Sequence, residues 1–531
     1  MSGNSEYEQL SNQGRRYQSN RRRFIQGLAC LGGTILAGSP SCNKRKVRLQ
    51  GVPPSKWVAP AELSSPVSNS TASRSTSREV RAELRVAYAN LKIGNDVGGM
   101  DDVVLRSYNN AITGPILRVR PGDRLVVNVI NDLPAVADKP GEGHGINITN
   151  LHSHGMHVSP LEGDNIFLEI GDGANDGISK TLTYNIPKDH PAGTFWYHPH
   201  KHGSVAVQVA SGMAGALIVE GDIDELPEIK AAQERIFIFQ QIPYNSQGRV
   251  DWDEAIGPGL PEHRYTTING QLKPTIDMRP GEVQRWRFIH AGIKEKLSVS
   301  LQDHPLYVIA HDGLTTGRRE EQAVIALYPG YREDVLVKAS NTAGTYKLFD
   351  EKDANGLFDA ETDQELAVVN VAGDPVDMSL PEPSQLQTLV HMPDLRSASL
   401  YRDRVRLRFD IAGGKYTICD KEYTNALPSL EMKVDGVDEW ELITNRGVPK
   451  HHPFHIHVNP FQIIKVGTQE IGFPMWRDTV IVEKGQNVII RMLCKDFRGE
   501  SVLHCHILDH EDRGMMTKIN IVDSMPTNFP C

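Results

Sequence analysis

From about Glu83 to the C-terminus, apolar residues mostly alternate with polar ones or come in runs of four to six between Gly and Pro turns. Alternation with a period of two marks strands that bury one face, so the pattern predicts short strands packed as sandwiches. Arg124-Leu125-Val126-Val127-Asn128-Val129-Ile130 after Pro121-Gly122 is one example, and Arg285-Trp286-Arg287-Phe288-Ile289 after Pro280-Gly281 is another. A longer regularity overlies this one. Gly330 to Gly344 and Gly485 to Gly499 are each 14 residues apart, and each pair encloses an alternating strand, Asp334-Val335-Leu336-Val337 or Asn487-Val488-Ile489-Ile490. Five residues after the second Gly stand Phe349-Asp350-Glu351 and His504-Cys505-His506, while Gly193 leads in five residues to His198-Pro199-His200. Repetition at fixed spacing predicts three copies of one β-sandwich module, the middle copy lacking the His. The expected class is all-β, with domains at residues 83–225, 226–385 and 386–531 and joints near 222–227 and 381–383.

The first segment follows a different rule. Arg15, Arg16, Arg21, Arg22 and Arg23 precede a moderately apolar run from Phe24 to Gly38. Broken by Gln26, Gly27, Gly32 and Gly33, the run is shorter than the roughly 20 apolar residues of a membrane span. Asn20-Arg21-Arg22-Arg23-Phe24-Ile25 resembles a twin-arginine export signal, so residues 1–42 are expected to direct export to the periplasm, cell surface or medium. A short membrane anchor is the alternative. Cys42 stands where a lipid-bearing Cys would, although Ser39-Pro40-Ser41 is a poor lipobox. Residues 43–82, with Lys44, Arg45 and Lys46 followed by a Ser/Thr/Pro-rich stretch to Ser77, predict a flexible linker that tethers the folded part to a membrane or wall.

Composition narrows the function classes. At roughly 150 residues per domain, 531 residues fit three or four domains. The 23 % charged and 39 % hydrophobic content is that of a globular protein. Residues 1–42 carry five Arg and two Glu, so their removal takes the formal net charge from -9 to about -12, which argues against nucleic acid as a partner. Six Cys in this length do not make a disulfide scaffold. Cys419, Cys494 and Cys531 are expected to supply one disulfide and leave one thiol, with no pair selected.

Ten of the 20 His carry the candidate chemistry. They fall in four clusters: His152-Ser153-His154, His198-Pro199-His200, His452-Pro453-Phe454-His455-Ile456-His457, and His504-Cys505-His506 with His510. Residues i and i+2 of a strand share a face, so each His-x-His pair aims two imidazoles at one place. Four pairs supply eight imidazoles, more than one mononuclear site uses, and this predicts a cluster of metal ions. Structural zinc, bound by a closed set of four ligands, does not account for them. The same alternation turns Cys505 away from His504 and His506 toward a second site. A Cys with two His and a weak Met ligand describes a blue copper centre, with His452 and His510 as imidazoles and Met515, ten residues after Cys505, as the axial candidate.

Leu151-His152-Ser153-His154-Gly155, Trp196-Tyr197-His198-Pro199-His200, His452 through His457, and His504-Cys505-His506-Ile507-Leu508-Asp509-His510 through Met515 resemble the four signatures of the multicopper oxidases, the laccase-like family. The resemblance implies three cupredoxin-like Greek-key β-sandwich domains and four coppers, with a trinuclear cluster between the first and third domains. It implies His152 and His455 at type 2 copper, and His154, His198, His200, His457, His504 and His506 at the type 3 pair. His452, Cys505, His510 and Met515 would hold type 1 copper. The implied activity is one-electron oxidation of a donor at type 1 copper, coupled to reduction of dioxygen to water at the cluster. Glu511 and Asp164 resemble the acids that supply the protons.

His157, His202 and His451 flank these ligands and are expected to be supporting or surface groups. The expected donors are phenols, aromatic amines or metal ions. Alternatives are a metal oxidase for Cu(I), Fe(II) or Mn(II), and a copper-binding tolerance protein whose oxidase activity is incidental. The 13 Met are scattered rather than clustered, which disfavours cuprous ion as the donor. Asp350 to Glu365 is acidic and faintly resembles a calcium loop, but Thr362 stands where the closing Glu belongs, and a solvated loop is expected.

Overall fold

The computed structural model describes residues 49, 51–63, 65–66, 78–137, 145–173, 178–256, 265–352, 363–444, 451–526 and 531. The export segment with Cys42, most of the Ser/Thr/Pro-rich stretch and residues 353–362 of the acidic stretch lie outside them. Of the described residues, 49 % are strand and 7 % helix, in agreement with the all-β expectation.

Six sheets form three successive pairs. The first pair sets a sheet of Leu117–Val119, Gly215–Val219, Gly193–His198 and His152–His154 against one built on Glu79–Gly94, Arg124–Asn131 and Ser179–Asn185. Leu84, Val127, Leu182, Phe195 and Leu217 close the core between them. The middle pair encloses Phe237, Trp286, Phe288, Val335 and Leu348. The last encloses Leu407, Trp440, Phe454, Ile490 and Leu503, together with Cys505 and Met515. In all three the strand order is non-sequential, which is what chain crossovers between the sheets of a sandwich produce. The repeated glycines open matching strands: Gly193–His198, Gly344–Asp350 and Gly499–Cys505.

The linker expectation needs correction over residues 49–63. Leu49 and Val52 are buried against Leu272, and Ser55–Lys56 adds a parallel edge strand to Pro274–Thr275. Trp57 packs on Phe237 with ring centroids 4.9 Å apart, and the Arg235 guanidinium lies over its indole. Low average hydrophobicity hid three apolar anchors, and an open sheet edge supplied backbone partners that no composition reveals. The first long strand begins at Glu79, ahead of the expected boundary at 83. After the middle sandwich, Leu386 still packs on Val283, Ile309 and Leu336, and the strands of the last sandwich begin at Val405.

Candidate metal centre

Strand register brings the His pairs together. In the first domain His152 lies opposite His198 across an antiparallel pair, and in the last His455 lies opposite His504. The two surfaces face each other, and all eight imidazoles are buried. His154, His198 and His506 form one group, and His200, His457 and His504 another, with the candidate ligand atoms of each group all within 4.8 Å of one another. His152 forms a third such group with His154 and His455. The imidazoles of His152 and His457, and those of His154 and His455, stack with centroids 3.8 Å apart.

Hydrogen bonds at the back of five of the rings decide which nitrogen faces inward. His198 Nδ1 donates to Pro199 O at 2.8 Å, His455 Nδ1 to Asp478 O at 2.9 Å, and His504 Nδ1 to Cys505 O at 3.1 Å. His152 Nδ1 is 3.1 Å from both oxygens of Asp164. Each such bond leaves Nε2 as the free lone pair, as a metal ligand requires. Nε2 of His152, His198 and His455 is buried without a hydrogen-bond partner, and so are both nitrogens of His457 and His506. His154 is reversed, with Nε2 3.1 Å from Asp478 Oδ1 and Nδ1 buried without a partner. Burial, then the neighbouring imidazoles, hold His152, His154, His457 and His506 well below the usual His range, and hence neutral. Buried, neutral and unpartnered nitrogens in this number fit a group of cations.

Cys505 points the other way. Its Sγ lies 3.5 Å from His452 Nδ1 and 3.6 Å from His510 Nδ1, and all three are buried. Cys505 N donates to Met515 O at 3.1 Å, which keeps the buried Met515 beside it. Burial pushes the thiol up, so the thiolate needs a cation at this place.

Both expected acids are at the cluster. Asp164 accepts from Ser153 N at 2.7 Å and Ser153 Oγ at 3.0 Å, yet burial raises it to about 8. Glu511 lies 3.0 Å from His504 Nδ1 and 3.5 Å from His200 Nδ1, and burial, opposed by His200, sets it at about 7. His157, His202 and His451 belong to none of the metal-type groups among the described residues. His157 Nδ1 donates to Val458 O at 2.9 Å and its Nε2 pairs with Asp496 at 3.1 Å, so it joins the first and last domains. His202 packs edge-on against Tyr423, and His451 is buried at the start of its strand.

Two groups of charged residues were missed. Asp478 is buried against His154 and His455 and paired with Arg332 of the middle domain. Asp512 accepts from the backbone N–H of Gly203 at 2.7 Å and Ala206 at 2.8 Å, so the last domain caps the short helix Val205–Ala210 of the first. Neither follows a spacing rule: His455 stands 23 residues before Asp478, while His154, Arg332, Gly203 and Ala206 are each more than a hundred residues from the acid they pair with. The disulfide joins Cys419 to Cys531 and leaves Cys494 as a buried thiol.

Three sequence models of the multicopper oxidase family match, one each over residues 96–223, 242–372 and 393–524. The chain belongs to the multicopper oxidases. These enzymes bind four coppers of types 1, 2 and 3 and oxidise a reducing substrate with dioxygen, and the His groups described above fit those centres. The chain is 23 % identical to a multicopper oxidase of Staphylococcus aureus over 433 residues, covering 78 % of this chain and 83 % of that one. It is 22 % identical to a laccase of Bacillus subtilis, covering 79 % and 90 %. Its fold matches a multicopper oxidase of Campylobacter jejuni, described as a metallo-oxidase, with a TM-score of 0.70 at 22 % identity over 92 % of this chain and 99 % of that one.

Proposed function

We propose a laccase-type oxidase that takes single electrons from small donors, phenols, aromatic amines or metal ions, at a type 1 site made by His452, Cys505, His510 and Met515. The type 2 site is His152 with His455, and the type 3 pair is the two triads His154/His198/His506 and His200/His457/His504. One observation carries the reading. Cys505 faces His452 and His510, while its chain neighbours His504 and His506 each complete a different triad. Two short covalent paths therefore lead from the thiolate to the cluster.

When bound, copper supplies the one-electron steps and the reduction of dioxygen to water. The chain supplies the surroundings. Backbone carbonyls and Asp164 hold the imidazoles with the ligating nitrogen inward. Burial raises Glu511, beside His504, to about 7 and Asp164, behind His152, to about 8, so both carboxyls are placed and tuned to exchange protons beside the cluster.

The donor classes rest on the relatives: the Bacillus subtilis protein is a laccase, and the Campylobacter jejuni one is described as a metallo-oxidase. Dioxygen uptake by copper-loaded protein with a phenol, with Cu(I) and with Fe(II), measured side by side, tests the reading. Fastest turnover with the phenol supports it. Fastest turnover with a metal ion makes the protein a metal oxidase, and blue protein without turnover on any donor makes it a copper-binding tolerance factor. Export through the twin-arginine-type segment, and a tether at the membrane or wall, complete the proposal. Combined Arg21→Lys, Arg22→Lys and Arg23→Lys is expected to hold the protein in the cytoplasm, and unchanged export would remove that part.

A further inference from the structure

Among the described residues, the middle sandwich contributes none to the metal-type groups, yet one of its side chains reaches the cluster. Arg332 opens the strand Arg332–Lys338 and is wholly buried. Its guanidinium is bound on every side. Nη1 donates to Asp478 Oδ1 and to Gly330 O, at 2.8 and 2.9 Å, and Nη2 to Asp312 O at 2.9 Å and to Asp478 Oδ2. Nε donates to Thr194 O of the first domain at 3.3 Å. One side chain thus touches all three sandwiches: Thr194 in the first, Gly330 and Asp312 in the middle, and Asp478 in the last.

Asp478 passes this constraint on to one His from each copper-bearing domain. Its Oδ1 faces His154 Nε2 at 3.1 Å and its main-chain O accepts from His455 Nδ1 at 2.9 Å. Thr479 Oγ1 also donates to Oδ1 at 2.8 Å, and Asp312 Oδ2 accepts from the backbone N–H of Asp478 and Thr479 at 3.2 and 3.3 Å. The carboxylate is therefore fixed in position as well as charge. A carboxylate facing His154 Nε2 holds the N–H there and leaves Nδ1 to face the cluster, opposite to the choice made at His152, His198 and His455.

Gly155, next to His154, gives independent evidence that the chain makes room for this pair. It adopts φ +85°, and a Cβ on it would collide with the Arg332 guanidinium and the Asp478 carboxylate. Gly155 also lines a cavity of about 680 Å³ bordered by His157, Ala192, Leu314 and Trp476.

We infer that Arg332 and Asp478 are positioning residues of the cluster: the middle domain clamps Asp478, and Asp478 orients His154 and His455 for copper. This rests on the ligand reading proposed above. It assigns the ligand-free domain a specific part in assembling a site it does not line. A buried charge pair that only held the domains together would affect the whole fold and leave the selectivity among the coppers unchanged.

The test uses the full copper-loaded protein and reads the centres separately. In the unaltered protein, four coppers per chain with both a blue absorption and a type 2 EPR signal are required; their absence would defeat the ligand reading itself, not the inference. In Arg332→Gln and Asp478→Asn, loss of one or more coppers is expected, with the type 2 signal lost or its hyperfine splitting changed and the blue absorption retained. In competition with a chelator, copper affinity at the cluster is expected to fall about 10- to 100-fold, the usual effect of removing a partner behind a ligand. Gly155→Ala, which pushes on the pair from the first domain, is expected to change the same signal. An unchanged type 2 signal and full copper content in Arg332→Gln and Asp478→Asn would overturn the inference. Where Arg332→Gln loses the blue centre too, Arg332→Lys keeps a charge in the pocket without the fork. A perturbed type 2 signal with intact blue colour there supports the inference, and an unperturbed one, or joint loss of both centres, overturns it.

Discussion

The site around Cys505 and the cluster of eight imidazoles are built from the same residue types but on different scales. His452, Cys505, His510 and Met515 all belong to one sandwich, and Cys505 and Met515 sit inside its apolar core. The cluster draws half its imidazoles from the first domain and half from the last, and its rear hydrogen bonds include one anchored in the middle domain. A centre inside one core depends on that core alone. A centre between cores depends on every contact that sets their mutual position, which is why Arg332, a residue of the middle domain that reaches the imidazoles only through Asp478, matters there.

The largest effect should separate the two centres. Cys505→Ser is expected to abolish the blue absorption and bring turnover to background while the type 2 EPR signal persists; persistence of the blue colour would show that the thiolate lies elsewhere. Next, Glu511→Gln is expected to slow dioxygen reduction by about 100- to 10,000-fold, the usual weight of a positioned proton donor, while anaerobic reduction of the blue centre by the donor keeps its rate. Equal slowing of both steps would show that Glu511 serves the structure rather than proton delivery. Removing the disulfide with Cys419→Ser, which opens a loop of 112 residues, should cost about 2–5 kcal/mol in denaturant unfolding and act on the single-domain centre's own sandwich. The smallest effect is expected from Lys495→Ala. That side chain pairs with Asp189 across the first and last domains at an exposed position, and its loss should lower stability by no more than about 1 kcal/mol without changing the type 2 signal. A changed type 2 signal in Lys495→Ala would mean that exposed interdomain pairs also tune the cluster.

Much of the site was legible because strand geometry is local. The i, i+2 rule paired the imidazoles and turned Cys505 to the opposite face, and the single-domain centre lies within one stretch from His452 to Met515. The repeated glycines marked strands for a similar reason, since a turn before a strand is a local event. What escaped was non-local. Residues 49–63 looked like linker because their few apolar side chains are spaced apart, and only the open edge at Pro274–Thr275 and the surfaces of Phe237 and Leu272 make them part of the body. Among Cys419, Cys494 and Cys531, spacing had no preference, and the proximity of the chain end to Cys419 made the choice.

By itself, then, the amino-acid order determined that this protein is a three-module β protein with imidazole pairs and one divided Cys, because hydrophobic period and ligand spacing are properties of a few adjacent residues. Tertiary structure decided how six of those imidazoles divide into the triads His154/His198/His506 and His200/His457/His504. It also decided which ring nitrogen His154 and His455 present, and that Arg332 and Asp478 stand behind the cluster. Those choices depend on the relative placement of three cores, which is set by the sum of contacts between distant segments and has no signature in any one of them.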